Sequence, residues 1–276
     1  MKNFIEANEV KCNLGEYVVI DCRFDLVDLD YGFKAYITSH IKNSHFLSLE
    51  RDLSSEKLNH GGRHPLPNMN IFAAKLENIG ISNDSRILLY DDDLSVATRL
   101  WWMLKYMGIN DVKILNGGVN AAIDSDIEME KGQSTYKPAS LGKIDIKLNQ
   151  NLLVTIQELI EMLKNKKDDY ILIDSRAPER YKGITEPYDK IAGRIPTAIN
   201  IFFKEVIDEK KIKPISDLKD IYKNIDTSKK IIAYCGSGVT APINIIAMDE
   251  IGINSRLYLG SYSDYVSYED NVVDKD

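Results

Sequence analysis

The chain has 276 residues, 44% of them hydrophobic and 28% charged, with a net charge of −7. That is globular composition with room for two domains, and an acidic chain without a basic cluster excludes nucleic acid and membrane surfaces as expected partners. Its three cysteines, Cys12, Cys22 and Cys235, exclude a disulfide framework and point to a reducing, cytoplasmic setting; there is neither a signal-peptide pattern nor a run of the ~20 apolar residues that a membrane span needs.

In chain order, residues 17–21 (Tyr-Val-Val-Ile-Asp) and 86–90 (Arg-Ile-Leu-Leu-Tyr) are apolar on consecutive positions. That pattern suits a strand buried on both faces of a parallel sheet. Residues 95–107 follow a helical pattern stopped by Gly108. A polar stretch broken by Gly132, Pro138 and Gly142 reads as a linker over 129–150. Thr155 is then the expected N-cap of a helix through Leu163, with Glu158 three residues on. Residues 170–174 (Tyr-Ile-Leu-Ile-Asp) and 230–234 (Lys-Ile-Ile-Ala-Tyr) repeat the strand pattern, and 240–251 repeat the helix, stopped by Gly252.

The two halves align with one another. Asp21-Cys22-Arg23 matches Asp174-Ser175-Arg176, His40-Ile41 matches Arg194-Ile195, and Tyr90-Asp91 matches Tyr234-Cys235. The same number of residues separates Tyr90 from Gly108 and Tyr234 from Gly252, after which Leu115-Asn116-Gly117 is matched with Leu259-Gly260-Ser261. The expected fold is therefore α/β, with two similar domains, 1–128 and 151–276, each a mainly parallel sheet flanked by helices.

The most informative residues are Tyr234-Cys-Gly-Ser-Gly-Val-Thr-Ala241, a strand end, a glycine-rich loop and a helix start. Such a loop turns several backbone N–H groups toward one centre and suits an anion. Cys235 stands at the mouth, where N–H groups and the helix end favour a thiolate nucleophile or a persulfide. Gly236, Gly238, Val239 and Thr240 form the rest of the cradle. Ala241 stands where a cysteine phosphatase needs arginine, and Gly238-Val239-Thr240 lacks the lysine of a nucleotide phosphate loop. Neither a nucleophile elbow around Ser237 nor a zinc-binding cysteine pattern fits. Asp91 holds the equivalent position in the first half, so sheet packing does not itself demand cysteine.

On these residues the chain resembles the tandem-domain rhodanese family of thiosulfate and 3-mercaptopyruvate sulfurtransferases. Supporting segments are Asp21-Cys-Arg-Phe, Gly62-Arg-His-Pro-Leu-Pro67, Trp101-Trp102-Met103, Leu115-Asn-Gly-Gly-Val119, Asp174-Ser-Arg176 and Glu179-Arg-Tyr-Lys-Gly183. The resemblance implies a catalytically inert first domain and a second domain whose Cys235 takes the outer sulfur of a donor as a persulfide. The sulfur then passes to cyanide or to a thiol acceptor such as a thioredoxin-like protein, with no metal or organic cofactor.

The resemblance also implies roles for individual residues. Ser237, His64 and an acid would manage protons. The acid position aligns with Glu50, where the family usually has aspartate, and Asp52 is the neighbouring alternative. Arg180 matches the family's substrate arginine. The second arginine of mercaptopyruvate enzymes is missing from Glu186-Pro-Tyr-Asp-Lys190, and Arg194 takes the place of a usual histidine as a further substrate-binding candidate. Gly236-Ser237 resembles the mercaptopyruvate branch, so 3-mercaptopyruvate is the expected donor and thiosulfate the runner-up. A persulfide carrier without turnover is the remaining alternative.

Overall fold

A computed structural model describes residues 1–165 and 169–276. It divides into two compact units, one of Met1–Ser55, Leu66–Asn149 and Glu209–Ile212, the other of Glu56–Pro65, Gln150–Asp208 and Lys213–Asp276. Both are α/β, as the repeat implies.

The sheet of the first unit is built from β1 (Phe4–Ile5), β2 (Val18–Asp21), β3 (His45–Phe46), β4 (Ile87–Tyr90) and β5 (Val112–Leu115), in the order β1-β5-β4-β2-β3. All neighbours are parallel. Every residue of β4 is buried, because helices cover both faces of a parallel sheet and leave no polar side. The sheet of the second unit has β6 (Tyr170–Asp174), β7 (Ile199–Asn200), β8 (Lys230–Tyr234) and β9 (Ser255–Leu257), in the order β9-β8-β6-β7, again parallel. The counterpart of β1 is reduced to a single bridge, Leu153 to Leu257. Ahead of β6, the N–H of Glu158 donates to the Thr155 hydroxyl at 3.2 Å, the expected cap of the helix Ile156–Asn165.

The duplication extends to individual hydrogen bonds. At the end of β2, Arg23 forks onto Asp21 (Nε 3.1 Å, Nη2 2.6 Å) and the Tyr90 hydroxyl donates to the same carboxylate at 2.8 Å. At the end of β6, Arg176 forks onto Asp174 (Nε 3.0 Å, Nη2 2.6 Å) and the Tyr234 hydroxyl donates at 2.7 Å. All six side chains are buried. Each clasp ties the strand that precedes it to the strand carrying the next loop, β4 or β8.

Two readings change against the structure. The stretch expected as a linker is strapped onto the first unit up to Asn149. Met129–Glu130 pairs antiparallel with His40–Ile41, the Gly142 N–H donates to the Glu77 carbonyl at 2.8 Å, and the Asn149 N–H donates to the Tyr106 carbonyl at 2.8 Å. Its backbone groups thus find partners that a polar composition alone does not reveal. The repeat also slips by one residue near its end. The Val119 N–H donates to the Asp91 carbonyl and the Tyr262 N–H to the Cys235 carbonyl, each at 3.0 Å. Gly117-Gly118 therefore corresponds to Gly260-Ser261, because the turn after Gly252 is one residue shorter than the turn after Gly108. Gly118 and Ser261 share a left-handed backbone, with φ of 59° and 58°.

Candidate active site

β8 ends at Tyr234, and the chain curls through residues 235–240 into the helix Ala241–Glu250. Pro242 sits in its first turn, where a missing N–H leaves no intrahelical bond unmade. Gly238 has φ of +75°, and a Cβ there would stand 2.3 Å from the Leu259 carbonyl oxygen, so only glycine makes this turn. The turn aims the Gly238 N–H at Cys235 Sγ, 3.2 Å away.

Cys235 is buried, which pushes its thiol pKa up. The Thr240 hydroxyl and the N–H groups of Ala241, Ser237 and Thr240 bond the sulfur and outweigh burial, so the net value falls below that of an ordinary thiol. The Cys235 N–H donates to the Ser261 hydroxyl at 3.2 Å, and the N–H groups of Tyr262 and Ser263 hold the Cys235 and Gly236 carbonyls. Val239, partly exposed, completes the loop. The other cysteines lack this setting. Cys12 is exposed on the surface, while the Cys22 thiol is pushed well up by burial and by the charges of Asp91 and Asp21.

Ser237 and His64 are brought together, with Ser237 Oγ 2.9 Å from His64 Nδ1 and both side chains buried. His64 reaches the loop because Glu56–Pro65 belongs to the second unit. That segment is stitched to Ser261–Tyr265 and the residues that follow: the Gly61 N–H donates to Asp264 at 2.7 Å, the Arg63 N–H to the Ser263 hydroxyl at 3.1 Å, and His60 bonds Ser267 at 2.8 Å.

Arg180 lies at the loop. Its two terminal nitrogens lie 3.3 and 3.4 Å from where a Cβ on Gly236 would stand. It is forked onto Glu186 (Nε 3.0 Å, Nη2 2.7 Å), which also accepts from Arg176 at 3.0 Å. The structure adds Arg63, whose Nη2 is only 2.8 Å from the same point above Gly236 and whose Nη1 is paired with Asp189. Arg63 lies next to His64 in sequence, but its partner Asp189 is far along the chain and nothing local marks the pair.

Arg194 has partners of its own. Its guanidinium bonds Asp276 at 2.7 Å and stacks on Tyr181, 4.5 Å from the ring centroid, while its backbone pairs with Asp274. Its counterpart His40 does the same in the first unit, pairing with Glu130 at 2.9 Å. Both positions pair with an edge segment of their own unit.

The two candidate acids lie in the first unit and differ. Both oxygens of Asp52 are taken, by the Ser48 N–H at 2.8 Å and by Lys75 at 2.7 Å. Glu50 is half-buried, and that burial raises its carboxyl pKa against the pull of Arg99. Asp91 fills its own loop. It accepts from the N–H groups of Leu94 (2.7 Å), Val96 (3.0 Å) and Ala97 (2.9 Å). Burial and the neighbouring Asp93 nevertheless push its pKa up to about 8.

Comparison with known proteins agrees with this architecture. The rhodanese-like domain model matches residues 6–124 and 155–268. A Pseudomonas aeruginosa protein named "Probable 3-mercaptopyruvate sulfurtransferase" is 34% identical over 95% of this chain and 94% of its own. The thiosulfate sulfurtransferase of Rattus norvegicus is 32% identical over 84% of this chain and 79% of its own. The crystal structure of SseA from Escherichia coli, described as a 3-mercaptopyruvate enzyme of the rhodanese fold, superposes with a TM-score of 0.83 at 26% identity, covering 95% of this chain and 100% of that one. Among the described residues no helix is long and apolar enough to cross a membrane. With both halves of the duplication matched, the chain belongs to the rhodanese-like family as a tandem of two rhodanese-like domains.

Proposed function

We propose that this protein is a sulfurtransferase that moves the sulfur of 3-mercaptopyruvate through a Cys235 persulfide to an acceptor thiol or cyanide, in the cytoplasm. The observation that carries this reading is the Cys235 sulfur ringed by the Thr240 hydroxyl and loop N–H groups, with a thiol pKa lowered despite complete burial. The same ring suits the outer sulfur of a persulfide, which is also an anion at neutral pH. Three free thiols fit a reducing compartment.

The steps follow from the groups present. The Cys235 thiolate attacks the donor sulfur and forms an S–S bond. The donor's C–S bond breaks, and its electron pair leaves as the enolate of pyruvate. The proton from the donor thiol passes to that enolate, with Ser237 and His64 in hydrogen-bond contact to carry it. An acceptor thiolate then attacks the outer sulfur, and Cys235 departs as thiolate. Arg180 binds the donor carboxylate. The first unit is catalytically inert.

Steady-state assays with both donors test the reading. The expected result is a higher kcat/KM for 3-mercaptopyruvate than for thiosulfate, with Cys235→Ala reducing both by on the order of 10⁴-fold or more. Full activity in Cys235→Ala would remove the mechanism. A thiosulfate preference above about tenfold, roughly 1.4 kcal/mol in the transition state, would leave the chemistry and overturn the donor.

A further inference from the structure

Above the residue that follows the nucleophile stands a cluster of alternating charge. Arg63 and Arg180 both close on Gly236, where the lack of a side chain lets their guanidinium groups pack against the loop next to Cys235: a Cβ there would stand 2.8 Å from Arg63 Nη2 and 3.3 Å from Arg180 Nη2. Asp189 joins the two guanidinium groups. It pairs with Arg63 through one oxygen and lies 3.4 Å from Arg180 Nη2 through the other, with its side chain only 5% exposed. The Tyr188 ring lies over both, 5.6 Å from the Arg63 guanidinium carbon and 5.0 Å from that of Arg180. Behind them Arg176 is matched by Asp174, and Arg180 by Glu186.

Paired off in this way, Arg176 with Asp174, Arg180 with Glu186 and Arg63 with Asp189, the cluster has no net charge. Without Asp189 it would carry one positive charge facing Gly236. A single carboxylate can exchange for Asp189 on the Arg63–Arg180 fork with the charge kept in balance. A compact dianion brings a second negative charge to a cluster with no surplus cation to meet it, inside a site where screening by water is weak.

We propose that Asp189, acting on Arg63 and Arg180, is a specificity-determining residue that occupies the anion position over Cys235 and selects donors with one negative charge over dianions. This rests on the sulfurtransferase reading for its donors, but the charge selection belongs to the site itself.

The test uses Asp189→Asn, which keeps the shape and removes the charge, and Arg63→Gln, which does the opposite to the cluster. The first readout needs no sulfur transfer: the rate of Cys235 alkylation by iodoacetate divided by the rate with neutral iodoacetamide. That ratio cancels changes in thiol ionisation. It should rise about fivefold in Asp189→Asn and fall by a similar factor in Arg63→Gln. The second readout is the ratio of kcat/KM for thiosulfate to that for 3-mercaptopyruvate, which should rise at least about threefold in Asp189→Asn. Opposite signs in the two variants separate a charge effect from general damage to the fold. An alkylation ratio that stays constant, or moves the same way in both variants, would overturn the proposal. If the alkylation ratios move as expected while neither donor transfers sulfur, the charge selection stands and the sulfurtransferase reading fails.

Discussion

After β4 and after β8 the chain makes the same strand-to-helix turn and fills it differently. In the first unit Asp91 folds its own carboxylate back onto the N–H groups of Leu94, Val96 and Ala97. In the second unit the Thr240 hydroxyl and the N–H groups of Ser237, Gly238, Thr240 and Ala241 are directed at the Cys235 sulfur. The frame is shared, down to the Asp–Arg–Tyr clasp at the preceding strand end. The surroundings are not. The first loop reads Asp91-Asp92-Asp93, and these charges with burial raise the pKa of the buried acid, whereas the second reads Cys235-Gly-Ser-Gly and lowers the pKa of a buried thiol. A cradle of N–H groups is thus a property of the fold, and loop composition decides whether it holds a carboxyl with a raised pKa or a thiol with a lowered one.

The largest expected effect concerns the shared frame. Asp21→Ala leaves the buried Arg23 without its carboxylate and Asp174→Ala leaves the buried Arg176 with Glu186 alone, so each should cost about 3–5 kcal/mol in chemical denaturation, the first at the upper end. Similar losses in the two units would confirm that the frame is structural in both. A loss confined to Asp174→Ala would tie the clasp to the reactive loop alone.

A smaller effect separates frame from contents. In Asp91→Cys the introduced thiol meets the same frame but keeps Asp92 and Asp93 beside it. Its alkylation should require higher pH than an ordinary thiol, while Cys235 alkylation should inflect below the ordinary value. Both curves come from one pH series with mass-resolved peptides. Equal inflections would mean that the loop residues do not set the difference. Each unit of separation between the two corresponds to about 1.4 kcal/mol in favour of the thiolate.

Much of this was legible in the sequence for local reasons. The strands are apolar on consecutive residues because both faces are buried, and the Cys235 loop is contiguous, so its glycines and helix start report its geometry directly. What escaped was non-local. Arg63 meets Asp189 only through the path of Glu56–Pro65, and Arg194 meets Asp276, 82 residues further along the chain. The one-residue slip at Ser261 arose because a shortened turn offsets the repeat, placing a serine hydroxyl on the Cys235 N–H where the first unit has Gly118. A serine held at positive φ carries strain of about 1–3 kcal/mol, which the site offsets with that hydrogen bond and its neighbours.

In the proposed mechanism Cys235 alone among the three cysteines carries sulfur. Intact-protein and peptide mass spectrometry after incubation with 3-mercaptopyruvate tests it most directly. One added sulfur atom is expected, located on Cys235, lost on addition of a thiol acceptor and absent in Cys235→Ala. Sulfur found on Cys12 or Cys22, or no adduct on Cys235 with either 3-mercaptopyruvate or thiosulfate, would contradict it.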